Sequence, residues 1–313
     1  MVSSGPASVT VRAPAKVNLS LSVGPRRTDG FHELVTVFHA VSLHDTVVAT
    51  QAPAGHGISI TVEGDEIGAV PTNESNLVWA AAQLVAKAIR RPADVHLHVS
   101  KNIPVAGGMA GGSADGAAAL VACDALWGAG LGRTKLEALA VRLGSDVPFA
   151  LHGGTAIGRG RGEQVTPALA RGEFHWVFAF ADWGLSTPDV YTECDRLRAQ
   201  RDVVAPAVAD ELMAALRSGR ATSVGAGLHN DLQEAALSLR PRLKLTLEAG
   251  ADAGALGSIV SGSGPTCAFL ARDDEHALDI AVALSASGAC RTVTRATGPV
   301  HGARVVDAVG LVG

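Results

Sequence analysis

The densest chemical signal in the chain is the run Pro104, Val105, Ala106, Gly107, Gly108, Met109, Ala110, Gly111, Gly112, Ser113, Ala114 and Asp115. It follows an apolar–polar alternation (Val95, Leu97, Val99) and precedes an Ala- and Leu-rich stretch, so it reads as a loop from a strand into a helix. A helix's first turn has free N–H groups and the positive end of its dipole. Glycines ahead of it let further N–H groups converge on a phosphate. No Lys follows Gly112, so this is not a Walker loop. Nor is the spacing that of a dinucleotide-binding fingerprint. Phosphate binding over 104–114 is expected, with Ser113 offering a hydroxyl to phosphate or metal; a packing turn is the competing reading. A valine at Gly111 is expected to project where phosphate lies, and to be strained if the backbone there takes positive φ.

Three further patterns could do chemistry. Lys16 and Asn18, in APAKVN, are two apart and share a face if the segment is a strand; taken alone, a strand lysine is an ordinary solvated residue. Asp146, in GSDVPF, follows a helix end and precedes a Val-Pro that favours extended backbone; a turn aspartate bonding its own backbone is the plain alternative. The segment 261–266 (SGSGPT) is backbone-rich and reads equally as a tight loop or a ligand contact. His96 and His98 share a strand face but lack a third ligand at metal-site spacing, so they read as its polar side. Asn230-Asp231 reads as a helix N-cap.

The elements that must position these residues follow from periodicity. Val9 and Val11, then Val17, Leu19, Leu21 and Val23, alternate with polar residues. Turn chemistry fills 24–30, and a second alternation over 34–48 is interrupted at His44-Asp45. A helix is expected after Ser75-Asn76, ending by Pro92. Others are expected from Ser113 to about Trp127 and from a Thr134–Glu137 capping box to Gly144. Beyond Gly153–Ala170 the composition shifts, placing a domain boundary near Arg171, hence 1–170 and 171–313. Phe174–Phe180 reads as a buried strand. Helical stretches follow near 207–218, 231–238 and 241–250, with a last helix from Asp274. Mixed strands and helices in both halves give an α+β class.

Composition narrows the partners. The 313 residues exceed what one core usually holds. With 47% hydrophobic and 18% charged residues, the chain is globular rather than disordered. Lys plus Arg total 26 against 30 Asp plus Glu, a net charge of −4, which speaks against a nucleic-acid binder. No signal peptide or membrane span is visible. Four cysteines without a C-x-x-C pair fit a reducing cytoplasm.

In this order, the patterns APAKVNLSLSV, RRTDGFHELVTVF, SNLVWAAA, KNIPVAGGMAGGSADGAAAL, GSDVPFALHGGTAIGRGRGE, LSTPDVY, HNDLQ and GSGPTCAFL resemble the GHMP kinase superfamily. The closer resemblance, carried by DGFHEL after APAKVNL together with SDVPF, is to its 4-diphosphocytidyl-2-C-methyl-D-erythritol kinase family. Ala106 and Ala110 stand where that family's loop usually has glycine, and alanine readily takes only negative φ. Met109 replaces a usual Leu, Asp115 a common Asn, and Phe31 a frequent Tyr.

The resemblance implies an N-terminal domain like domain 2 of ribosomal protein S5 and a ferredoxin-like C-terminal domain, with the site between them. It implies ATP-dependent phosphorylation, with Mg²⁺, of the 2-hydroxyl of a cytidine-diphosphate-linked methylerythritol in the non-mevalonate isoprenoid pathway. Asp146 would be the base and Lys16 its partner at the transferring phosphoryl. Asn18, Phe31, His32 and Thr187 would meet the cytidine-bearing substrate, while Asn76, Leu77 and Lys101 would lie by the adenine. No acidic Mg²⁺ ligand carries over. A mevalonate, phosphomevalonate or homoserine kinase, a non-catalytic ATP-binding member and an RNA-binding module remain as alternatives.

Overall fold

Two long strands form the spine of the protein. In the computed structural model, which describes residues 7–65, 67–105 and 107–309, β1 (Ser8–Arg26) pairs antiparallel with β2 (His32–Gln51) along almost its whole length. The interruption expected at His44-Asp45 is a register shift rather than a break: Pro14 faces His44 while Ala15 faces Val41. The chain continues through β3 (Ile58–Gly64), α1 (Leu77–Ala88), β4 (Val95–Lys101), α2 (Gly111–Leu126), α3 (Gly132–Leu143) and α4 (Val147–His152) to β5 (Thr155–Gly160) and β6 (Gln164–Pro167). The second half runs β7 (Phe174–Phe180), α5 (Thr187–Arg198), α6 (Asp210–Ser218), α7 (Ala221–Ala226), β8 (His229–Asn230), α8 (Gln233–Leu239), α9 (Arg242–Asp252), β9 (Gly257–Val260), β10 (Cys267–Ala271), α10 (Asp274–Ser287), β11 (Thr292–Gly298) and β12 (Arg304–Val309).

The first sheet has the order β12-β1-β2-β4-β3, extended by β5 and β6 on β2 and by β8 on β1. Its inner face carries Val9, Val11, Val17, Leu19, Val47 and Val99, all fully buried. Burying each such side chain contributes roughly 1.5–3 kcal/mol. The partner is α2, whose Ala114, Ala117, Ala118 and Ala119 are small enough to bring the helix close to the sheet. The second sheet has the antiparallel order β11-β7-β10-β9. Its strands run β7, β9, β10, β11 in sequence, which is the βαββαβ arrangement of a ferredoxin-like layer. The expected α+β fold with these two layers is the one observed. The last strand, β12, crosses back to the first sheet beside β1.

Several local expectations change. Thr134 and Glu137 form no capping box, because α3 begins two residues earlier at Gly132 and Thr134 is already inside its first turn. Glu137 instead pairs with Arg133 at 2.8 Å. Val147-Pro148 is not extended: it opens α4, where a proline is tolerated because first-turn N–H groups have no helical acceptor. Asn230 does not cap a helix. It lies in β8, donates to Val260 O and Gly262 O at 2.7 Å each, and accepts from Leu232 N, which ties the 261–266 turn to the first sheet. His96 and His98 bond Ser59 and Thr61 across the β3–β4 pair, as expected of a polar strand face.

Candidate active site

The two layers enclose a cleft of about 840 Å³. Its walls come from β1, the β1–β2 turn, the start of α1, the glycine loop with α2, the start of α4, α5 and the 261–266 turn. Nearly every residue singled out in the sequence lines it. Lys16, Asn18, Phe31, His32, Asn76, Leu77, Lys101, Asp146 and Thr187 do so, as do Pro104, Val105, Gly107, Gly108, Ala110, Gly111, Gly112 and Ser113. Of the residues expected at the site, Met109 and Ala114 do not, their side chains being buried in the core. Ala106 lies outside the described residues.

Lys16 and Asn18 share a strand face, as their spacing requires. Lys16 Nζ donates to Asn18 Oδ1 at 2.6 Å and to Gly108 O at 2.9 Å, so the ammonium joins β1 to the glycine loop. Asn18 is fixed in turn by donating to Thr36 Oγ1 at 2.8 Å. Asp146 Oδ2, also on the cleft wall, stands 3.9 Å from Lys16 Nζ. Burial lowers the Lys16 pKa, and the Asp146 charge opposes that shift. The lysine side chain is 7% exposed and the carboxylate 31%, so Asp146 is the more accessible of the two.

One of the loop's two alanines can be placed. Ala110 takes the left-handed conformation, φ 61° and ψ 34°, as the residue before α2. Negative φ was expected there, and the left-handed form costs a non-glycine residue roughly 1–2 kcal/mol. No side chain caps α2 and no acidic residue occupies its first turn, so its N–H groups remain available to an anion. Gly111 departs from expectation: φ is not positive, and an added Cβ would meet Ile103 Cγ2 and Lys101 Nζ, both at 3.2 Å, on the core side. Gly112, which also lines the cleft, is the position where an added Cβ meets open space.

Lys101 is held below this loop. It pairs with Asp45, and with Asp115 at 2.6 Å. Asp45 Oδ1 also accepts from Asn102 N and Ile103 N at 2.6 and 2.8 Å, bracing the strand end that feeds the loop. Burial alone would lower the Lys101 pKa, but the two carboxylates raise it. Burial and the Asp45 charge push the Asp115 carboxyl up to about 8.

Another part of the cleft wall is aromatic. Phe31 is 52% exposed, with the Arg161 guanidinium 5.0 Å from its ring centroid. His32 is buried, stacked on Tyr191 at 5.2 Å between centroids, and bonded through Nε2 to Asp195 at 2.8 Å. Thr187 Oγ1 meets Ser263 Oγ at 2.8 Å, joining α5 to the 261–266 turn. Tyr191, Asp195 and Arg161 are cleft residues that motif reading missed. Tyr191 closes the LSTPDVY pattern, and no helical signal over 187–198 indicated that Tyr191 and Asp195 would share a face.

No helix among the described residues is long and apolar enough to cross a membrane. Residues 76–154 match the family model for the GHMP kinases N terminal domain, and 212–290 that for the GHMP kinases C terminal domain. A 4-diphosphocytidyl-2-C-methyl-D-erythritol kinase of Thermobifida fusca is 57% identical over 96% of this chain and 99% of its own length. One of Streptomyces coelicolor is 55% identical over 96% of this chain and 100% of its own. A crystal structure of 4-(cytidine 5'-diphospho)-2C-methyl-D-erythritol kinase superposes with a TM-score of 0.75 at 34% identity, covering 92% of this chain and 98% of that one. A homoserine kinase of Cytophaga hutchinsonii gives the same TM-score at 21% identity, which is a likeness of fold. With such identity over nearly the whole length of its relatives, the chain belongs to the 4-diphosphocytidyl-2-C-methyl-D-erythritol kinase family of GHMP kinases.

Proposed function

We propose that the chain transfers the γ-phosphoryl group of ATP to the 2-hydroxyl of 4-diphosphocytidyl-2-C-methyl-D-erythritol. The observation that carries this reading is the placement of three unlike surfaces in one cleft. An uncapped helix start, the Lys16–Asp146 pair, and the group Phe31, His32 and Tyr191 all line it. Phosphoryl transfer needs positioning and charge stabilisation more than covalent chemistry, and these surfaces divide that work.

The N–H groups at the start of α2 hold the phosphates, and Ser113 adds its hydroxyl. Asp146 accepts the proton of the attacking hydroxyl. Lys16, held 3.9 Å away, keeps that carboxylate ionised and faces the transferring group. Asn18 orients Lys16 and closes the substrate side. Phe31 offers a ring face to a pyrimidine, and His32, stacked on Tyr191, meets its polar edge. Asn76 and Leu77, at the start of α1, flank the nucleotide. Thr187, braced by Ser263, lies by the substrate phosphates. Lys101 contributes through the loop it braces, beside the adenine end. Residues 1–170 supply most of the nucleotide site, and α5 and the 261–266 turn of 171–313 complete the substrate side.

The donor set suits a Mg²⁺ ion carried by the nucleotide. Among the described residues no three acidic, His or Cys side chains cluster as a metal site, and Mg²⁺ characteristically binds through substrate phosphates and few protein oxygens. Ser113, in the first turn of α2, would offer it a hydroxyl oxygen. When bound, the ion neutralises charge on the β- and γ-phosphates.

The test is ADP release with ATP-Mg²⁺ and a panel of acceptors: the cytidine substrate, mevalonate, phosphomevalonate and homoserine. Turnover confined to the cytidine substrate is expected. Turnover on another acceptor at comparable kcat/KM, or on none, would sink the reading.

A further inference from the structure

Asp195 is not accounted for by phosphoryl transfer. It sits on α5 one turn beyond Tyr191, and the two side chains hold His32 from different directions. Tyr191 lies against the imidazole face, and Asp195 bonds Nε2 at 2.8 Å. All three line the cleft. A carboxylate only accepts hydrogen bonds, so Nε2 must carry the proton in this pair. In the neutral ring, Nδ1 is then left as an acceptor, and it has no hydrogen-bond partner among the described residues.

An acceptor at that position discriminates between pyrimidines. Cytosine presents an exocyclic amine, a donor, where uracil presents a carbonyl oxygen, an acceptor. An Nδ1 lone pair bonds the amine and repels the carbonyl. The opposite tautomer would reverse that preference. We infer that Asp195 is a positioning residue that fixes His32 as the Nε2–H tautomer, and so sets the preference for cytidine over uridine in the substrate. The inference rests on the proposed cytidine-bearing substrate, with His32 at the edge of its base.

A merely structural Asp195, pinning α5 to the β1–β2 turn, would affect both bases alike. The experiment therefore measures kcat/KM for the cytidine substrate and its uridine analogue in the wild type, Asp195→Leu, Asp195→Asn and His32→Ala. Wild type should prefer cytidine. Asp195→Leu should lower the cytidine-to-uridine ratio by on the order of tenfold, the value of one hydrogen bond, while the KM for ATP stays within about twofold. Asp195→Asn should recover most of the ratio, because its amide oxygen still accepts the Nε2 proton. Equal losses on both bases in Asp195→Leu, an unchanged ratio there, or no recovery in Asp195→Asn would each overturn the role of Asp195. If His32→Ala collapses the ratio while Asp195→Leu does not, the cytidine reading stands and only the positioning role falls. If wild type does not prefer cytidine, or His32→Ala keeps the preference, His32 is not the reader and both fall.

Discussion

Two buried lysines line the same cleft and face carboxylates, yet their surroundings differ in kind. Lys101 lies between Asp45 and Asp115, both in direct contact, and its pKa is raised. Lys16 has neutral acceptors at 2.6 and 2.9 Å, one carboxylate at 3.9 Å, and a pKa lowered chiefly by burial. The first ammonium is held between two carboxyl groups in direct contact and braces the loop. The second is held in place but under-neutralised, which suits a group that must meet an incoming phosphoryl. Type and burial do not separate the two; the number and distance of the carboxylates do.

The sharpest way to break this comparison is to remove the function of one lysine's partner. Asp146→Asn keeps shape and loses basicity, so kcat should fall by roughly 10²–10⁴, with ATP affinity nearly unchanged by titration. A variant retaining a third of wild-type turnover would remove Asp146 from the base role.

Next in size are the lysines themselves. Lys101→Met leaves the buried Asp45 carboxylate without its counter-charge and should cost about 3–5 kcal/mol of stability in urea unfolding. Lys16→Met removes a charge that burial already penalises but leaves Asn18 Oδ1 and Gly108 O without their donor, so it should cost about 1–3 kcal/mol, less than Lys101→Met, while turnover collapses. If Lys16→Met is the less stable protein, the distinction drawn here is wrong.

The phosphate loop gives a smaller and positional effect. Gly112→Val places its side chain in the open cleft, whereas at Gly111 it would press on Ile103 and Lys101. Gly112→Val should weaken ATP binding by roughly 10–100-fold in a normally melting protein, since it blocks backbone approach to phosphate. Gly111→Val should lower the melting temperature instead. Titration and melting of both variants would reveal a reversed pattern.

The mildest test is pH. Asp115 has a folded pKa of about 8 against 3.8 for the free group, so the native state holds the proton longer than the unfolded chain. Stability from this group is therefore greatest at low pH and declines as pH rises across that interval. Asp115→Asn should flatten this slope in melting temperature between about pH 4 and 8. An unchanged slope would mean that Asp115 is ionised throughout.

Much of this was legible in linear order. The alternation of Val17, Leu19, Leu21 and Val23 fixes which way Lys16 and Asn18 point, because side chains on a strand alternate with period two. The glycine run between an alternating segment and an alanine-rich one marks a helix start without a cap. Phe174–Phe180 and Ala277, Ile280 and Leu284 mark core elements of the second layer. Boundaries were less legible: Thr134–Glu137 matched a capping box inside a helix, and Val147-Pro148 matched an extended step while opening one. Both are local rules that yield when packing sets the chain direction.

The sequence by itself determined the two-layer α+β fold, the family, and the nature of the chemistry, because these rest on local periodicity and on motifs whose order survives as a string. Tertiary structure alone decided which charges meet. It set Lys101 between Asp45 and Asp115 and Lys16 at a distance from Asp146, turned Gly111 inward and Gly112 outward, and brought Asp195 to His32 from 163 residues away. Those contacts depend on how the layers pack, and electrostatics acts through distance in space rather than separation along the chain.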